Sequence, residues 1–75
     1  MNAGMMWFDN DPKTPLNAKV IKAVAYYTEK YGLVPNTCLV NPSALTEQTE
    51  ISGITVRPYR PVLPGHLWIG IKETK

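Results

Sequence analysis

The sequence predicts an α+β fold, a small mixed sheet of three to four strands with one long helix packed on one face. Three observations carry that prediction. Residues 16–31, LNAKVIKAVAYYTEKY, repeat apolar side chains with the period of a helix, and the short runs at 5–8, 37–41, 54–57 and 67–71 are rich in strand formers. No second long helical period occurs, so one helix must serve the whole sheet.

The first strand is expected over Met5–Phe8, a short and strongly apolar MMWF run. Asp9, Asn10, Asp11, Pro12 and Lys13 follow with turn chemistry, short polar side chains that bond their own backbone and then a proline. Carboxylates at this spacing also occur in cation-binding loops. An EF-hand loop begun at Asp9, however, requires Gly and Glu where this chain has Thr14 and Val20. The segment is therefore read as turn and cap, with no metal.

At about 100° per residue, Leu16, Val20, Ala23, Val24, Tyr27 and Tyr31 share one arc of the helix, with Ile21 and Thr28 at its margin. That stripe is built to pack on the sheet. Lys19, Lys22, Tyr26 and Lys30, with Glu29 beside them, are expected on the opposite, solvated side. Thr14 is the expected N-cap and Pro15 the first helical residue, where a missing N–H costs nothing. Gly32 suits the left-handed residue just past the last turn, Lys30 complements the negative end of the dipole, and Pro35 prevents resumption.

Thr37–Asn41 is the second strand, expected to be central, and Cys38 within it reads as a small buried hydrophobe rather than a reactive thiol. No neighbouring histidine or basic residue is present to lower its pKa. Asn41, Pro42, Ser43, Ala44 and Leu45 repeat the polar-cap-then-proline order and predict a single helical turn with Leu45 inward. Residues 46–50, TEQTE, read as an exposed connection, and Glu47 and Glu50 lack the apolar surroundings that would tune an acid/base pair.

Ile54–Arg57 alternates apolar with polar and predicts a third strand with Ile54 and Val56 inward. Leu67–Ile71 predicts a fourth, with Leu67, Ile69 and Ile71 on one face and Trp68 and Gly70 on the other. Covering of the Trp68 ring by a neighbouring strand's side chain is the favoured reading, and the alternative is a shallow exposed surface. Between these strands Pro58, Pro61 and Pro64 recur at every third position, the period of a polyproline II helix. In that form Arg57, Arg60, Leu63 and His66 would line one edge. The simpler expectation is a stiff connection whose prolines keep an edge from pairing.

Seventy-five residues are expected to form one small domain spanning 1–75, burying only about 60% of the surface an unfolded chain exposes. The apolar share of 44% and charged share of 19% are those of globular chains, which argues against disorder. One cysteine permits no intrachain disulfide and points to a cytoplasmic setting. Neither an export signal nor an apolar run long enough to span a bilayer is read. A net charge of +2 supports nucleic-acid contact only where the cations cluster.

Glycine-rich phosphate loops, nucleophile elbows, paired-cysteine zinc patterns and HExxH are absent from the sequence. The chain is therefore expected to be a small non-enzymatic binding protein without a cofactor. Its first expected role is protein–protein interaction or self-association, as an accessory module, through a surface comprising Tyr59, Pro61, Pro64, His66 and Trp68. The alternative is nucleic-acid or acidic-partner contact through Lys19, Lys22 and Lys30 on phosphates, Tyr26 stacking, and Arg57 and Arg60 extending the track. No membrane partner is expected.

Overall fold

The computed structural model describes residues 3–72. In chain order these form β1 (Ala3–Phe8), α1 (Leu16–Tyr31), β2 (Thr37–Val40), β3 (Thr49–Ile51), β4 (Ile54–Pro58) and β5 (His66–Ile71). The strands make one mixed sheet of five, ordered β1-β5-β2-β4-β3, one or two strands more than the sequence suggests. The α+β class holds, and β2 is the middle strand as expected.

The additional strand is β3, in the segment read as an exposed connection. Its Thr49, Glu50 and Ile51 are held by antiparallel pairing to β4, a tertiary cause that a polar three-residue run does not announce. Ser52 and Gly53 join the two strands with φ of 51° and 79°, the pair of positive values that a type I′ hairpin turn demands. Strand β4 reaches the centre by parallel pairing with β2. Strand β5 runs antiparallel to both β2 and β1, so β1 and β2 are parallel but separated by β5, and the last two strands are antiparallel with β2 between them.

Helix α1 covers one face. Val20, Ala23 and Tyr27 are buried against Cys38, Val40, Ile54, Val56, Leu67 and Ile69, with Met5, Trp7, Leu16, Val24, Leu45, Ile51 and Ile71 packed around them. These strand residues obey the period of two, which directs their neighbours to the far side of the sheet. The predicted stripe is too generous at its end and margin, since Tyr31 and Ile21 are 47% and 48% exposed. Tyr31 instead packs on Tyr27 at 4.7 Å between ring centroids and carries the Lys30 ammonium 5.5 Å from its centre. A helix of 16 residues is about 24 Å long, and its buried residues end at Tyr27, one turn before its C-terminus.

The helix entrance also differs from the sequence reading. Pro15 is the N-cap, with φ −69° and ψ 160°, and its carbonyl accepts the Lys19 N–H at 3.1 Å. Thr14 stands one residue too early to cap. Its hydroxyl donates instead to Asp11 Oδ2 at 3.0 Å, while Asp11 Oδ1 accepts the Lys13 N–H at 2.9 Å. Gly32 closes the helix as expected, at φ 72° and with its N–H on the Thr28 carbonyl at 2.8 Å.

Asn41–Leu45 forms a hydrogen-bonded turn rather than a helical one. The Ala44 N–H reaches the Asn41 carbonyl at 2.9 Å, and the Asn41 side-chain oxygen takes the Ser43 N–H, competing with helix formation as short polar side chains do. Leu45 packs on the core as predicted. No helix among the described residues is long and apolar enough to cross a membrane.

Candidate functional site

The uncovered face of the sheet is built by the residues that alternate with the core. One cross-strand row consists of Gly4, Gly70, Thr37 and Thr55, small side chains that form a low floor. The next consists of Met6, Trp68, Leu39 and Arg57, directly opposite one another in four adjacent strands. With strands about 4.8 Å apart, this second row extends roughly 14 Å across the sheet. A ridge of large side chains thus borders a low floor.

The proline segment walls one end of this face, and it does so as turns instead of a polyproline helix. The Val62 N–H donates to the Tyr59 carbonyl at 3.1 Å, and the His66 N–H to the Leu63 carbonyl at 3.0 Å. In the second turn Pro64 presets the first central position and Gly65, at φ 82°, supplies the positive φ of a type II turn. Two further bonds fix the loop to the end of β2, from the Tyr59 N–H to the Val40 carbonyl at 2.7 Å and from Asn41 Nδ2 to the Val62 carbonyl at 2.8 Å. The edge strip of Arg57, Arg60, Leu63 and His66 therefore does not form.

Together Gly4, the ridge and the loop line a groove of about 540 Å³. Met6, Leu39, Trp68, Tyr59, Pro61 and the buried Val62 supply its apolar lining. Among the described residues its charged lining is Arg57 and Lys72, with no carboxylate. Trp68 is half-buried and lies over Gly4, whose missing side chain makes room for the ring. The ring is thus accommodated by a glycine of the neighbouring strand rather than covered by its side chain, and it stays part of a partly exposed surface.

Of the residues expected to form a protein-interaction surface, Tyr59, Pro61 and Trp68 meet in the groove. His66 stands one row further along the same face, its ring 4.8 Å from that of Phe8 and its Nδ1 3.3 Å from the Pro64 carbonyl oxygen. Pro64 is exposed in the turn, outside the groove lining. Met6, Leu39, Val62 and Lys72 were not legible as site residues, although Leu39 and Met6 lie out of phase with the inward Cys38, Val40, Met5 and Trp7, which is the available signal.

The residues expected to contact nucleic acid are divided between two sides of the molecule. Lys22, Tyr26 and Lys30 are exposed on α1. Lys19 is half-buried, its ammonium donating to the Asp9 carbonyl oxygen at 3.0 Å, and the Tyr26 ring leans on Trp7 at 5.1 Å. Arg57 lies across the sheet in the groove, and Arg60 is exposed in the adjoining turn. One continuous basic track does not result.

Cys38, Asp9 and Asp11 are engaged in structure away from the groove. Burial pushes the Cys38 thiol up to about 12, leaving it protonated and inert at neutral pH. Bonds from the Lys13 N–H and the Thr14 hydroxyl hold the Asp11 carboxyl below its ordinary value, and Asp9 Oδ1 accepts the Asp11 N–H at 3.1 Å. Among the described residues no three His, Cys, Asp or Glu side chains gather as metal ligands. No protein-family model matches the chain, and neither does any curated protein or solved structure.

Proposed function

We propose that the protein is a non-catalytic protein-binding module whose open-face groove receives an extended segment of a partner, one apolar side chain next to a carboxylate. The observation that carries this reading is the row Met6, Trp68, Leu39 and Arg57, three apolar anchors ending in a guanidinium. Aromatic residues, Met and Arg are the side chains that concentrate binding energy at protein interfaces. Proline and tyrosine along the wall add rigid contact area that loses little entropy on binding.

Charge sets the polarity of the partner. Arg57 offers a planar fork of donors to a carboxylate, Lys72 adds a second cation, and no acid among the described lining residues competes. The lone Cys38, buried and protonated, suits a reducing cytoplasm as the setting of this accessory role. A second reading, nucleic-acid binding by the exposed face of α1, is supported by the exposure of Lys22 and Lys30, with Tyr26 exposed at its flank. It is the weaker because Lys19 is engaged by the Asp9 carbonyl and Arg57 lies across the sheet.

Calorimetric titration separates the two. The probes are blocked peptides bearing one large apolar side chain beside either a carboxylate or its amide, and a single-stranded oligonucleotide. The carboxylate series should bind several-fold more tightly than the amide series, a difference of about 1 kcal/mol for a half-exposed ionic contact, and Arg57→Glu should remove it. Equal binding of the two series, or indifference to Arg57→Glu, would count against the groove. Oligonucleotide binding that falls steeply with salt and is lost on Lys22→Glu would establish the other reading.

A further inference from the structure

The two free edges of the sheet are unlike. Strand β3 is three residues long and carries Glu50, which suits an edge kept from pairing. Strand β1 is six residues long, AGMMWF, with neither charge nor proline, and Met6 and Phe8 on it are 54% and 58% exposed. Among the described residues none of the usual devices blunts it.

The backbone of β1 has a fixed phase. The Asp9 N–H donates to the Gly65 carbonyl at 2.9 Å, toward β5, and continues the register in which Phe8 opposes His66. In an antiparallel ladder the N–H and C=O of one residue point the same way and those of the next point oppositely. Trp7 and Met5 therefore direct their backbone groups into the sheet, and Gly4, Met6 and Phe8 direct theirs to the free edge.

We infer that β1 pairs antiparallel with β1 of a second copy about a twofold axis at Met6, joining two sheets into one. Of the registers that keep open face with open face, only this one uses all three outward residues. Met6 opposes its twin and Gly4 opposes Phe8 twice, giving three mutually hydrogen-bonded pairs. Side chains match as well as backbone. Phe8 of one copy enters beside Gly4 of the other, next to the Trp68 ring, the way an aromatic residue covers an edge glycine. On the helix side Met5 faces Trp7, a thioether against an indole. An uncharged strand meets itself with no repulsion, and the self-complementarity selects a second copy over an unrelated strand.

The contact is short, below the roughly 1,200 Å² of a standard interface, so association is weak and concentration-dependent. Sedimentation equilibrium and amide hydrogen exchange test it on the intact chain from micromolar to millimolar concentration. The average mass should climb toward twice that of the chain, and exchange at Gly4, Met6 and Phe8 should slow several-fold over the same range while Glu50 on the opposite edge is unchanged. Met6→Pro and Met6→Lys should stay monomeric. The proline is tolerated by the monomer because the lost N–H faces solvent, and Met6→Lys sets two ammonium groups opposite one another. Arg57→Glu, which disables the groove, should leave the dimer intact, so the two proposals fail separately. A mass that never rises, a dimer that survives both substitutions, or protection that builds at β3 would overturn the inference. Should the variants misfold, the exchange pattern of the unaltered chain decides it.

Discussion

The Trp68 indole occupies the space in which a side chain at Gly4 would stand. A Cβ on Gly4 would overlap the ring and come within 2.7 Å of the Ile69 carbonyl oxygen. The open face owes its shape to this relationship, because a glycine on β1 lets the largest side chain of β5 lie flat and leaves the ridge beside it accessible to a partner.

Gly4→Ala should consequently destabilise the protein by about 1–3 kcal/mol, the usual cost of overpacking, and shift the Trp68 fluorescence. Combining it with Trp68→Ala should recover only part of the loss, since the Ile69 carbonyl still obstructs the new methyl. Urea unfolding of the single and double variants checks both statements.

Neighbouring positions of α1 should respond oppositely. Ala23 is fully buried and Lys22 exposed. Ala23→Lys inserts an unpaired charge into the core and should cost more than about 4 kcal/mol, enough to unfold so small a chain, whereas Lys22→Ala should stay within about ±0.5 kcal/mol. Far-UV circular dichroism during denaturation distinguishes the two.

Much of this architecture was legible in the sequence, and the parts that were not share a cause. The helix, the core phase of Cys38, Val40, Ile54, Val56, Leu67 and Ile69, and the central place of β2 follow from period and composition, which are local properties. Strand β3 was hidden because its stability comes from β4, and the insertion of β5 between β1 and β2 because sequence order does not encode spatial order. The proline spacing misled for a related reason. Anchors on Val40 and Asn41 bend the loop into turns, and bonds so distant in sequence leave no mark in a three-residue period. Three of the ten lining residues, Tyr59, Pro61 and Trp68, were foreseeable; Arg57 was seen too, but as an extension of the basic track of the helix.

The loop before α1 should respond to acid. Bonds to its ionised form hold the Asp11 carboxyl below 3.8, so its contribution to stability is complete above that value and is lost as pH falls through the lower folded-state value. Asp11→Asn should thus be less stable than the unaltered chain at neutral pH, with the gap closing on acidification below 3.8. Thermal melts across that range check the sign, and a gap that widened toward acid would contradict it.

The β3–β4 turn offers room for improvement. Ser52 holds a left-handed conformation at φ 51° that asparagine adopts more readily, so Ser52→Asn should stabilise the protein by about 0.5 kcal/mol. Gly53→Ala, at φ 79°, should cost about 1–2 kcal/mol. Chemical denaturation of the pair resolves changes of this size.

The two tryptophans provide the most direct test, because Trp7 packs on the helix side of the sheet and Trp68 lines the groove on the other. In a nitrogen–proton spectrum each indole N–H gives its own signal. Titration with a blocked peptide carrying an aromatic side chain beside a carboxylate should move the Trp68 signal saturably and leave that of Trp7 in place. Movement of Trp7 with Trp68 fixed, or no response from either up to millimolar peptide, would contradict the assignment of binding to the uncovered face.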